Sequence, residues 1–291
     1  MSSLAAPVLS LVRPFTLLAP FIGFVSAATM ASHSLPPAIA YIGAVAAALL
    51  NAASNGLNQI FDVDIDRINK SDRPLPAGRL TLRKAGLIVS VLYLASALIA
   101  AAVNWTFFAI VLVTAFFTYA YSAPPFRTKR VWWLANLTIA VPRGVLLVVA
   151  GWASVAGIND FEPWFVGLVF GLFIFGAAMT KDFADMVGDR AFGCNTLPIV
   201  LGPKGAAWVV APFLSLPFLF ISLGTWLGVL SGQPTVLYLL SLALVIWGGY
   251  AGYLLVRQPE ELAAERNHPS WKHMYLIMLT AQMGVACSYL F

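Results

Sequence analysis

The chain has 291 residues, of which 60% are hydrophobic and 10% charged, and its formal net charge is +5. Soluble domains carry roughly 25% charged residues, so this composition excludes an ordinary water-soluble fold. A cationic surplus can signal nucleic acid, but here the cations fall in short loops between apolar runs. Lipid headgroups and phosphates are the expected partners there, and nucleic acid is not.

A hydrocarbon core about 30 Å thick needs roughly 20 apolar residues per helix. Runs with few charges predict nine transmembrane helices, at residues 14–31, 36–60, 84–103, 105–122, 131–154, 163–181, 205–230, 234–256 and 271–290. The first run follows Arg13 and lacks a small-residue cleavage site, so it reads as a membrane helix and not as a removable signal. Turn residues mark several breaks, among them Leu35-Pro36-Pro37, Pro124-Pro125 and Gly232-Gln233-Pro234, while Asn104 alone parts the third run from the fourth. The expected architecture is an all-α polytopic bundle, one membrane domain over residues 1–291. Cys194 and Cys287 lie far apart, match no metal-ligand spacing and read as free thiols.

Short cytoplasmic loops carry excess Lys and Arg. Arg67, Lys70, Arg73, Arg79, Arg83 and Lys84 separate spans two and three; Arg127, Lys129 and Arg130 separate four and five; Arg190 and Lys204 follow six; and Arg257, Arg266 and Lys272 separate eight and nine. The opposite connections contain no Lys or Arg, and one of them carries Asp160 and Glu162. This pattern predicts a cytoplasmic N-terminus, cytoplasmic even-to-odd loops and a C-terminus on the far side.

At the inner end of span two stands Asn-Gly-Leu-Asn-Gln-Ile-Phe-Asp-Val-Asp-Ile-Asp-Arg, residues 55–67. Asn51, Asn55, Asn58, Asp62 and Asp66 recur every three or four residues and so share one helix face. A solvated helix end explains Asp64 and Asp72. Amides within a spanning segment are costly unless they meet partners or line a wet cavity, and of helix–helix glue and cavity lining the second is preferred. Span six ends on Lys181-Asp182-Phe183-Ala184-Asp185-Met186-Val187-Gly188-Asp189-Arg190, whose three carboxylates also share a face. Like charges this close need cations between them. Mg²⁺ suits the pattern because it takes one or two carboxylates and completes its shell with water and substrate phosphate; Ca²⁺ fits less well without an EF-hand loop.

Of the interleaved cations, Arg79, Arg83 and Lys84 read as topology signals. Arg67, Arg73, Arg127, Lys129, Lys181 and Arg190 are candidate phosphate contacts. Arg143 falls near the bilayer centre, where an unpaired arginine costs at least roughly 2.5 kcal/mol, so it must face the interior. Two readings stay open for it: a structural pair with carbonyls freed by Pro142, or contact with an anionic acceptor. Arg143, Asn51, Asn55 and Tyr119 form the candidate acceptor region. His33, His268 and His273 stand in or beside loops, away from the acids, and are not expected to be ligands. Tyr121 and most other aromatics read as lipid-facing or core, a few of them lining an isoprenoid tunnel.

These two acidic segments resemble those of the UbiA superfamily of intramembrane prenyltransferases. The family's first motif, Asn-x-x-x-Asp-x-x-x-Asp followed by Arg-Pro-x-x-x-Gly, matches Asn58, Asp62, Asp66, Arg73, Pro74 and Gly78; the second matches Lys181, Asp182, Asp185 and Asp189. The resemblance spans nearly the whole chain and implies nine helices around a central cavity, with a cap over two Mg²⁺ ions and a polyprenyl diphosphate. It assigns Asn58, Asp62, Asp66, Asp182, Asp185 and Asp189 to metal, and it makes Lys181 and the carboxylates the catalytic group. One departure stands out. Many relatives have a tyrosine four residues before the lysine, where this chain has Ala177. The short interval from Asp66 to Arg73 looks more like branches acting on geranylgeranylglyceryl phosphate, chlorophyllides or homogentisate than like the 4-hydroxybenzoate branch. The implied reaction is Mg²⁺-dependent transfer of a geranylgeranyl-type group to a lipophilic acceptor. Rivals are a cation-coupled transporter, disfavoured because both carboxylate clusters fall on one membrane face, and a terpene cyclase or diphosphatase sharing the donor chemistry.

Overall fold

A computed structural model describes residues 4–264 and 268–291; Arg266, read above as a loop cation, lies outside the described residues. Among the described residues the protein is helical throughout, with one isolated bridge between Val131 and Asn195. The chain opens with α1 (Ala5–Val12), then a tight turn over Pro14–Leu17 that feeds α2 (Leu18–Ser32). Next come α3 (Ala38–Phe61), α4 (Val63–Asn69), α5 (Leu82–Val103) and α6 (Trp105–Ser122). The fifth span is broken: α7 (Trp132–Ala140), a wider π turn over Val141–Leu146, and α8 (Leu147–Ala153). They are followed by α9 (Glu162–Met179), α10 (Met186–Ala191), α11 (Leu197–Ser215), α12 (Leu219–Trp226), α13 (Pro234–Arg257), α14 (Pro259–Ala264) and α15 (Pro269–Cys287).

Local chemistry sets several boundaries. The Asn104 side chain accepts from the Phe107 N–H at 2.8 Å, capping α6, and donates to the Ala153 carbonyl at 2.8 Å, so the residue that parts two spans also pins a third. Gln233 caps α13 through the Val236 N–H, and Pro234 fills the first turn, where a missing N–H costs nothing. Pro142 removes one backbone donor, and the chain answers with the π turn that carries Arg143.

Eight of the nine expected spans are helices long and apolar enough to cross a membrane. The ninth expected span is not among these eight. Residues 271–290 do fold mostly as α15, but Lys272, His273 and Gln282 make it the least apolar of the set, and it falls outside the eight. The seventh span begins earlier than expected, at Leu197, with a kink where Gly202 adopts φ 72°.

Neighbours in sequence pack side by side, α2 on α3, α3 on α5, α5 on α6, α6 on α7, α7 on α9, α9 on α11, α11 on α13 and α13 on α15; α15 returns to α2 and closes the ring. Inside that ring α8 crosses to α2. Their approach depends on Gly151: a Cβ there would stand 2.3 Å from the Phe24 carbonyl oxygen, so only glycine allows this crossing. The interior is thereby filled at the end from which α8 emerges, and the opposite end is left to the carboxylate segments. On the outside, Leu87, Leu94, Leu98, Leu239 and Ile246 are all exposed, an apolar girdle that suits hydrocarbon and not water.

Candidate active site

The site starts from the amides of α3. Asn51 donates to the Thr16 carbonyl (3.1 Å), Asn55 to the Val12 carbonyl (3.0 Å) and Thr16 Oγ1 (2.9 Å), and Gln59 to the Leu11 carbonyl (2.7 Å). This corrects the preference for cavity lining: Asn51 and Asn55 are interhelical ties, satisfied by the backbone freed where α1 breaks into the next turn. The ties flank Arg13, which has a left-handed backbone (φ 54°) and lies within electrostatic range of Asp66, Arg73, Arg143 and Asp185. Burial, with the neighbouring guanidinium of Arg73, pushes its own guanidinium down to about 10.

Below the ties, α3 ends at Asp62, whose non-helical backbone turns the chain into α4. Asp62 is buried and accepts from Asn58 Nδ2 at 2.7 Å and from Lys129 Nζ, with Arg127 at 3.9 Å. Arg127, itself at φ 41°, also donates to the Phe61 carbonyl. Asp66, one turn on, is buried and takes Arg73 Nη1 at 2.5 Å. Its carboxyl is pushed up by burial and held back by Arg73. Asp64 points away and pairs with Arg67 at 2.5 Å, both largely exposed; Arg67 therefore stands outside the cluster for which it was a candidate.

From the other side, α9 tightens into a turn over Thr180–Phe183 and restarts as α10. Lys181 Nζ lies 3.6 Å from Asp182, donates to the Tyr121 hydroxyl at 2.6 Å and sits 4.9 Å over that ring. Both Asp185 oxygens are met by Lys70 Nζ. Asn69 completes the junction, donating to the Asp185 carbonyl at 2.9 Å and accepting from the Gly188 N–H at 2.8 Å. Burial and the charges of Asp182 and Asp185 push the Asp189 carboxyl up to about 7. The two motifs, more than a hundred residues apart in sequence, thus share one polar cluster at one end of the bundle.

The remaining candidates are dispersed. Arg190 is exposed on α10. Tyr119 donates to the Pro124 carbonyl and lines an outer groove with Leu57, Val89 and Tyr93, apart from the carboxylates. Arg143 lies deep in the bundle within electrostatic range of Arg13 and Tyr121, and its side chain remains accessible. His33 packs on Tyr289 and His273 accepts from Trp247, both away from the acids. Among the described residues no group of three or more His, Cys, Asp or Glu is arranged to hold a metal ion by itself. The carboxylate and amide oxygens gathered in the cluster are the hard donors that Mg²⁺ takes, with water and phosphate completing its shell.

The model of the UbiA prenyltransferase family matches residues 17–286. The chain belongs to this family. It is a membrane-spanning prenyltransferase, and its relatives point within the family. It is 32% identical to a digeranylgeranylglyceryl phosphate synthase of Methanocaldococcus jannaschii over 79% of this chain and 78% of the relative, and 34% identical to that of Thermococcus kodakarensis over 74% of each. Among solved structures it resembles a UbiA homolog from Archaeoglobus fulgidus (TM-score 0.75, 20% identity, 98% of this chain and 99% of that one). It also resembles the same homolog bound to DMAPP and Mg²⁺ (TM-score 0.72, 20% identity, 96% and 99%).

Four residues of this prenyltransferase's cluster escaped sequence reasoning. Lys70 read as a topology signal, Asn69 drew no comment, and Tyr121 was grouped with lipid-facing or core aromatics. Arg13 read only as the flank of a span. Asn69 and Lys70 do carry a signal, because they lie between the last motif aspartate and Arg73 in a segment too short to leave the site.

Proposed function

We propose that this prenyltransferase moves a geranylgeranyl-type group from its diphosphate to a lipophilic acceptor with an anionic headgroup, geranylgeranylglyceryl phosphate first among candidates, and releases diphosphate. The observation that carries the reading is the junction of the two motifs. Asp62 and Asp66 on one side and Asp185 on the other are brought together through Asn69 and Lys70, and each carboxylate already faces a cation. In this reading Asn58, Asp62 and Asp66 would hold one Mg²⁺ and Asp182, Asp185 and Asp189 a second. When bound, the ions neutralise the departing diphosphate. Arg73, Arg127, Lys129 and Lys181 add fixed positive charge where negative charge develops as the allylic C–O bond breaks.

The Tyr121 ring beside Lys181 and the apolar walls of the bundle would keep water from the allylic cation until the acceptor attacks. Arg13 and Arg143, deeper than the carboxylates, suit an anionic acceptor headgroup. The loop cations support placing the N-terminus and the active-site end in the cytoplasm and the C-terminus opposite. The relatives' names support the acceptor class. Incubating the purified protein with labelled geranylgeranyl diphosphate, Mg²⁺ and separate acceptors tests the reading. Label should enter geranylgeranylglyceryl phosphate and leave 4-hydroxybenzoate bare. Transfer only to homogentisate or a chlorophyllide would overturn the acceptor, and diphosphate release with no acceptor product would overturn the reaction.

A further inference from the structure

The three carboxylate pairs differ in how they meet solvent. In Lys129–Asp62 the side chains are 7% and 11% exposed, and in Arg73–Asp66 they are 12% and 5%. Lys70 and Asp185 are 32% and 17% exposed, the most open of the three. Lys70 also touches both Asp185 oxygens, so its ammonium stands where a cation held by that carboxylate would stand. Its stem is flexible and its charge compact, whereas the adjacent Asn69 is fixed by two hydrogen bonds across the junction. The side chain can therefore swing without the junction opening.

We propose that Lys70 is a displaceable counter-ion: it occupies the metal position at Asp185 in the metal-free enzyme, yields it to Mg²⁺, and then contacts the donor diphosphate. The inference rests on the metal assignment above. It makes metal and donor binding cooperative, because an ion arriving alone must evict an ammonium, while an ion arriving with diphosphate gives that ammonium a new partner.

Mn²⁺ binding followed by electron paramagnetic resonance, with and without geranylgeranyl thiolodiphosphate, tests this. In Lys70→Met, donor-free Mn²⁺ binding should tighten about five- to tenfold. The donor KM should rise about ten- to a hundredfold with a smaller change in kcat. Lys70→Arg should restore the donor KM in part. In the unaltered protein, Lys70 should become more reactive to an amine-acetylating reagent when Mn²⁺ is added alone and be protected again when the thiolodiphosphate follows. If Mn²⁺ binds with the donor but Lys70→Met leaves donor-free binding unchanged, or Lys70 reactivity ignores Mn²⁺, the counter-ion role is overturned and the metal assignment stands. If the protein binds no Mn²⁺ even with the thiolodiphosphate, both are overturned.

Discussion

Gly188 offers a sharp perturbation of the junction between the motifs. A Cβ at this position would stand 2.6 Å from Asn69 Nδ2 and 2.7 Å from both its Cγ and Oδ1. The clashing atoms belong to a side chain, so Gly188→Ala need not break the fold; Asn69 can turn away. Turning away gives up its bonds to the Asp185 carbonyl and the Gly188 N–H, each worth about 0.5–1.5 kcal/mol net, or about 1–3 kcal/mol together. If that junction sets the spacing of the carboxylates that share the donor, the loss should appear in donor binding. The expected rise in donor KM is about five- to 150-fold, with acceptor KM little changed. Steady-state kinetics with each substrate varied in turn reads this directly, and thermal unfolding in detergent checks that the bundle survives. A variant with unaltered donor KM and unaltered melting temperature would refute the inferred coupling of the two motifs through Asn69.

Asn55→Leu removes two hydrogen bonds to the N-terminal segment and leaves the Val12 carbonyl in search of a donor, so stability should fall by about 1–3 kcal/mol; a thermal shift assay checks it. Arg143→Gln should raise the acceptor KM more than the donor KM, and equal changes in both would return Arg143 to a purely structural role. For pH, the folded Asp189 carboxyl near 7 against an ordinary value of 3.8 means that the folded state binds more protons between those limits. Stability of the metal-free protein should therefore fall as pH rises from about 4 to about 7 and level off above, a slope that Asp189→Asn should flatten. Melting temperatures across that range, without divalent ions, test it.

Much of this was legible in the sequence because hydrocarbon leaves few choices. Apolar runs of span length must be helices, so eight of nine spans and the turn at Asn104 followed from residue types alone. The ninth folds as α15 and falls outside those eight because Lys272, His273 and Gln282 dilute a run whose apolar residues nevertheless pack into the ring. Asp62, Asp66 and Asp185 could be found from spacing, since carboxylates at a helix end with interleaved cations need a shared counter-charge. Pair identities could not be found that way. That Lys70 faces Asp185, and that Asn51 and Asn55 meet Thr16 and Val12, depends on where a short turn sends the chain after a helix breaks. Period and composition say nothing of that direction. Tyr121 was missed because an aromatic at helix spacing in an apolar span looks the same whether it faces lipid or a lysine.

Magnesium-dependent prenyl transfer, followed by simultaneous measurement of diphosphate release and acceptor consumption, tests the central claim most directly in the unaltered enzyme, Asp62→Ala and Asp185→Ala. The unaltered enzyme should release diphosphate and consume geranylgeranylglyceryl phosphate in step. Each variant should lose at least about a hundredfold in rate while unfolding at a temperature that shows an intact bundle. Turnover retained in both variants would contradict the assignment of these carboxylates and the reaction built on them.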